Sequence, residues 1–338
     1  MRVSRGVACF TAILLAASRA APAEPALEEI VVTGEFPGPG MWKVTRADDP
    51  SGHVLWIVAD PPPLPKRMKW KSKDFEAVAL GSQEILRDAT VSMASDEKIG
   101  FFRGLTLLPA MLEARRNPDE AELKDLVPAD LYARWLVQKK LYLGRESGVE
   151  RWRPLFAADK LRKAAFDELQ LRESGVVWEV IGKLAERRKI RINSPALRFT
   201  FRRSDVRAKL KEFSRESLAD VECFSTTLQL TEALADRETQ NARARAWATA
   251  DHEALARLPA LPVPNLPCAM AVLNSQVARE VIPADIREQV IALWIDTAEK
   301  SLAANQSTFA IVPFLKLTRP DGYLARLREK GYVIAAPP

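Results

Sequence analysis

The chain has 338 residues, 47% of them hydrophobic and 28% charged, with 50 basic against 44 acidic side chains. That is enough apolar material for a sizeable core, as one large domain or a domain with an insert. The weak basic excess lacks the concentrated positive face of a nucleic-acid binder, so no nucleic-acid partner is expected.

In chain order, Met1–Gly6 carries two arginines, Val7–Ser18 is apolar, and Ala21-Pro22-Ala23 offers a small-residue exit. This is the pattern of a cleavable secretory signal peptide over residues 1–23, and it predicts a periplasmic protein. The apolar run is too short to cross a bilayer. Residues 24–40 read as a flexible N-terminal segment that ends in Phe36-Pro37-Gly38-Pro39-Gly40, and residues 41–338 as a single domain.

Two short strands are expected around Trp42–Val44 and Val54–Val58, joined through Asp48-Asp49-Pro50-Ser51-Gly52. Ser72 can cap a helix in which Phe75, Val78 and Ala79 share one face, and a strand near Ile85–Met93 completes a β-α-β start. From about Phe101 to Arg257 the pattern is largely helical, interrupted by one strand near Leu197–Phe201. The proline-rich stretch Pro259–Pro267 is a hinge, and a helix near Asp285–Ala303 feeds a strand at Phe309–Val312. The fold class is therefore α/β, of mixed α+β type, with a central sheet from the two ends and a helical insert at about 101–257.

Cys9 would leave with the signal peptide, so the mature chain would hold Cys223 and Cys268. In an oxidising compartment such a pair is expected to form a disulfide tying the 259–267 loop back to a helix.

The end segments are HVLWIVADPPPLPKRMKW from His53 and STFAIVPFLKLTRPDGYLARLREKGYVI from Ser307, each strand-like and then broken by proline. In the first, Leu55-Trp56-Ile57-Val58 precedes Leu64-Pro65; in the second, Phe309–Val312 precedes Pro320-Asp321-Gly322, Leu324, Leu327 and Gly331-Tyr332-Val333. These frames resemble the signature segments of the TraB/GumN family, a metallohydrolase-like fold that also includes the Tiki-type membrane proteases. Trp152-Arg-Pro-Leu-Phe-Ala-Ala-Asp-Lys-Leu and the run from Ala244 through Trp247 and His252 to Leu255 resemble further family segments. The resemblance implies a sheet in which the two ends meet. It also implies a G-x-x-H motif after each end strand, yet Ala59 and Pro62 occupy the first pair of motif places, and Pro313 and Lys316 the second. The family's metal ligands are thus replaced, and no metal or other cofactor is expected.

Metal hydrolysis needs several ligands at fixed geometry and an open position for water. The histidines, His53 and His252, read as a turn residue and a helix-surface residue. Asp60, Asp88 and Lys316 are the candidate catalytic residues, because they can meet where an α/β sheet collects ligands, at the ends of adjacent strands. Asp88 would correspond to the carboxylate after the family's second strand. Each also has a plain structural explanation, as turn residue or exposed lysine. No nucleophile elbow, Walker A or dinucleotide glycine pattern is present.

Glu28-Glu29-Ile30-Val31-Val32-Thr33-Gly34 resembles the short stretch near the mature N-terminus of TonB-dependent outer-membrane receptors. Such a β-branched segment can add to an exposed sheet edge, so it is the candidate contact for a periplasmic protein partner. Two functions follow as expectations: a binding protein of the cell envelope, exopolysaccharide-related, on a degenerate scaffold, or a peptidase-like hydrolase with a rewired site.

Overall fold

The structure, a computed structural model, describes residues 39–47, 51–61, 63–68, 70–95, 101–173, 175–202 and 204–337. Residues 1–23, where a signal peptide is expected, the segment Glu28–Gly34 and Pro62 lie outside the described residues.

Ten strands follow one another in the chain: β1 (Trp42–Arg46), β2 (Val54–Asp60), β3 (Leu64–Pro65), β4 (Glu84–Arg87), β5 (Thr90–Ser95), β6 (Leu171–Arg172), β7 (Arg191–Asn193), β8 (Ala196–Phe201), β9 (Ser307–Pro313) and β10 (Tyr332–Ala335). The main sheet has the order β10-β1-β2-β9-β4-β7. Its four strands β2, β9, β4 and β7 are parallel, whereas β1 runs antiparallel to both β2 and β10. The C-terminal strand β9 is wedged between β2 and β4, so the two ends of the chain build the centre of the sheet together. That is the mixed α/β frame expected from the end segments.

Parallel strands covered on both faces must be apolar on both, and alternation sends successive side chains to opposite layers. Leu55, Ile57 and Ala59 of β2 join Ala310 and Val312 of β9 in one core, beneath Trp294, Ile295, Ala298 and Leu302 of the helix Ile286–Ala304. Val58, Phe309 and Ile311 join the opposite core, beneath Phe75 and Ala79, Val177 and Ile181, and Trp247. The helix Lys73–Leu80 buries Phe75 and Ala79 as expected, but Ser72 does not cap through its side chain. Its hydroxyl donates instead to Glu76. Away from the sheet, a helical cluster forms around the fully buried Trp135, with Leu131, Leu161, Phe224 and Leu228.

Two expectations need correction. The single strand near Ile85–Met93 is two, because β4 and β5 are separated at Asp88 and Ala89. Leu86 stands opposite Asn193 and Thr90 opposite Ala196, so three residues of one strand face two of the other. This extra residue interrupts the ladder as a bulge does, and β5 and β8 continue beyond the main sheet as a two-stranded parallel ribbon. The helical middle is also interrupted more than once: β7 lies within it and closes the main sheet beside β4, because an uncovered β4 edge would leave backbone groups unpaired.

Cys223 and Cys268 form a disulfide with Cα atoms 4.5 Å apart. Cys268 lies inside the helix Asn265–Leu273 rather than in the preceding loop, so the bond joins that helix to Val221–Ala235. No helix of the described residues is long and apolar enough to cross a membrane.

Candidate functional site

In an open parallel sheet the carboxyl ends of the strands are where loops diverge and polar groups can converge. The pairings Ala59 to Val312 and Asp60 to Pro313 bring the ends of β2 and β9 side by side, and Arg87 to Ile311 sets the end of β4 on the other flank of β9. The two frames recognised in the sequence therefore meet at one edge.

Lys316 lies on the one-turn helix Phe314–Thr318 that follows Pro313, not in a loop. Its ammonium donates to Asp88 Oδ2 at 2.6 Å, and the Tyr323 hydroxyl donates to Asp88 Oδ1 at 2.7 Å. Tyr323 stacks on the buried Trp294, with ring centroids 4.0 Å apart. Burial, then the charge of Asp88 and the hydrogen bond to it, holds the phenol far above its ordinary pKa. The turn that delivers Tyr323 depends on Gly322: a Cβ there would stand 2.5 Å from the Lys316 carbonyl oxygen and 3.0 Å from that of Arg319. Close approach, rather than an unusual backbone angle, is what the Pro-Asp-Gly sequence supplies here.

Asp60 does not join this cluster. It follows Ala59 on β2 and so points to the opposite layer, where its Oδ2 accepts the Gly175 N–H at 2.9 Å at the start of the helix Val176–Arg188. Burial raises its pKa, against the lowering effects of the Gly175 and Val177 amides and the positive Arg87. Its second oxygen, Oδ1, is buried and has no partner within hydrogen-bonding geometry among the described residues, the Val177 amide lying close enough only to favour the charge. Arg87 lies 4.1 Å over the Trp178 ring on the same helix. Asp60 and Asp88 thus stand two strands apart, about 10 Å across the sheet by ordinary strand spacing, with β9 between them. Of the three candidate residues, the fold joins Asp88 and Lys316 and holds Asp60 separately.

His252 is the residue the sequence undervalued. It begins the helix His252–Arg257 and is half-buried, its ring 5.0 Å from Trp42 and stacked on Phe314 at 6.4 Å. Both ring nitrogens are buried without a partner among the described residues, and burial lowers its pKa against the opposing effect of Asp251. Trp42 and Phe314 come from opposite ends of the chain, so no local pattern could have announced this position. His53 lies just before β2, with Nδ1 3.0 Å from the Leu302 carbonyl oxygen.

The family's metal can be tested against these donors. Ala59 is a buried side chain with nothing to coordinate, Pro313 likewise offers no donor, and Lys316 presents an ammonium already held by Asp88. Pro62 is outside the described residues. Among the described residues no group of three or more His, Cys, Asp or Glu side chains is placed to hold a metal ion. The motif places therefore do not fit the group. A cavity of about 460 Å³ lies elsewhere, lined by Glu216, Asn274, Gln276, Arg279 and Glu280.

No curated protein and no solved structure matches the chain. The model of the TraB/PrgY/gumN family matches residues 40–336, which takes in β1 through β10 and both end frames. By that match over nearly its whole length, the chain belongs to the TraB/PrgY/gumN family.

Proposed function

We propose that this protein keeps the family scaffold without its metal centre and acts by binding in the cell envelope, after export through the N-terminal signal peptide. The observation that carries the reading is the chemistry of the motif places at the carboxyl edge. Ala59 and Pro313 offer no ligand, and Lys316, where the second histidine would stand, is an ion-paired cation. A cation at a ligand position repels a divalent metal, and its pairing with Asp88 also occupies the nearest carboxylate. An exopolysaccharide-related role follows from the family resemblance alone and belongs to the same proposal.

The test is elemental analysis of natively purified protein, together with hydrolysis of unstructured peptides with and without chelator. The expected result is divalent metal well below one equivalent and no chelator-sensitive cleavage. Stoichiometric metal, or cleavage lost on chelation, overturns the reading.

One observation favours a hydrolase instead. Asp60 is a carboxyl group whose pKa is raised by burial and whose second oxygen lacks a partner, as an acid catalyst's can be. In that reading Asp60 is the acid of a rewired, peptidase-like site on its own side of the sheet, apart from the Asp88 and Lys316 pair. It predicts metal-independent peptide cleavage that disappears in Asp60→Asn and persists in Lys316→Ala; unchanged background cleavage in Asp60→Asn removes it.

A further inference from the structure

The ribbon of β5 and β8 is an unusual object. Parallel pairs are less stable per residue than antiparallel ones, and a two-stranded sheet in water is marginal, so an isolated parallel pair invites a further strand. The Thr90 N–H donates to the Pro195 carbonyl at 3.1 Å, so Thr90, Ser92 and Ala94 turn their backbone groups toward β8. Val91 and Met93 turn theirs the other way, and these have no partner among the described residues. That outward edge continues the flank of β4 that pairs with β9, which has ended at Pro313. Thr90–Ser95 contains neither charge nor proline, the usual guards of a free edge. Val91 and Met93 are 37% and 43% exposed, on the face where Leu197 and Phe199 pack against Ile282 and Val290.

The chain supplies a segment with matching chemistry at the same edge. β1 is antiparallel to β2, so its start lies at the carboxyl edge, and Gly40 is fixed there against Pro337 and Ala250. From Gly40 to Val91 is three strand spacings across and about four residue rises outward, on the order of 19 Å. The eight residue steps from Val32 to Gly40 span up to about 27 Å. A chain running from residue 29 back to Gly40 travels toward the edge, opposite to β5.

We propose that the outer edge of β5 receives Glu29-Ile30-Val31-Val32-Thr33 of the same chain as an antiparallel strand, with Val32 opposite Val91 and Ile30 opposite Met93. This register puts Ile30 and Val32 on the apolar face of the ribbon beside Val91 and Met93. It puts Val31 opposite Ser92 and Glu29 opposite Ala94 on the other face, with β5 between them and the exposed Arg198. The inference concerns the sheet edge and stands whether the site below binds or hydrolyses.

Amide hydrogen exchange in the full chain tests it. In the wild type the Val91 and Met93 amides exchange at least about tenfold more slowly than in Val32→Pro, which removes the N–H facing Val91, and this protection is independent of protein concentration. Met93→Pro removes an outward N–H without touching the β8 ladder, and makes residues 29–33 more sensitive to proteolysis than in the wild type. Equal exchange in wild type and Val32→Pro overturns the proposal. So does protection that vanishes on dilution, which assigns the edge to a second copy. If Met93→Pro does not fold, the Val32→Pro comparison still decides.

Discussion

Each end of the parallel strands carries a carboxylate drawn away from water, Glu84 fully and Asp60 partly, and these behave in opposite ways. At the amino end of β4, Glu84 is fully buried, yet Asn305 donates to it at 2.9 Å, Ser301 at 3.2 Å, and Arg191 pairs with it from β7. Burial alone would raise its pKa, but hydrogen bonds from Asn193, Asn305 and Arg191, with the arginine's charge, leave it lowered. Around it Asn305 also donates to Thr308, and Ser82 bonds to Ser307, so polar groups at this end are partnered. At the carboxyl end Asp60 is raised by burial and keeps an orphan oxygen, and His252 keeps two orphan nitrogens. Buried polar groups are normally satisfied, so these exceptions at the carboxyl end, like those on Asn117, Gln240 and Arg243 elsewhere, set it apart from the fully partnered surroundings of Glu84. The amino end is a fastening, whereas the carboxyl end holds its polar groups less completely.

The contrast can be broken most strongly at Glu84. Glu84→Ala should cost about 3 kcal/mol, because it strands the buried donors of Asn305 and Ser301, and urea unfolding would show it. Because the folded pKa of Glu84 is lowered, its contribution is complete above its ordinary value of 4.5 and is lost as pH falls; in the variant that acid sensitivity diminishes. At the other end Asp88→Ala should cost less, about 1 kcal/mol, since Lys316 is exposed enough to hydrate and only the Tyr323 hydroxyl loses a partly buried partner.

Asp60 should carry the opposite sign. Its folded pKa is raised above the ordinary 3.8, so its contribution is present below that value and is lost as pH rises through the folded pKa. Asp60→Asn should therefore flatten the stability profile on the rising side, measured as unfolding midpoints across mildly acidic pH. The smallest effect is expected at His252. Its folded pKa is lowered below 6.5, so its contribution holds above that value and declines as pH falls below it. His252→Phe should leave stability at neutral pH nearly unchanged and remove this decline. A variant that keeps the wild-type acid profile would show that the imidazole between Trp42 and Phe314 is not the titrating group.

Much of this frame was legible because strands buried on both faces must be written as apolar runs. Leu55–Val58 and Phe309–Val312 announced themselves in that way, and the prolines after them marked where the strands stop. The disulfide partners were legible by elimination once export was assumed. The split of β4 from β5 was not, because a one-residue offset leaves no mark on composition: Asp88 and Ala89 look like strand residues until the facing strand is known. The candidate site was legible only in part. Asp88 and Lys316 were named together and do meet, whereas Asp60 was assigned to the same cluster on adjacency alone. Strand alternation, known only once the register is fixed, sends it to the other layer.

By itself, then, the sequence determined the hydrophobic pattern, the end strands and the identity of the residues in the motif places, since these depend on local composition and order. Only the tertiary structure decided that β9 inserts between β2 and β4, that Lys316 is neutralised by Asp88, and that His252 is enclosed by aromatic rings. Those facts depend on groups distant in the chain sharing a small desolvated space, where each loses water and must find whatever partner the fold brings, or none.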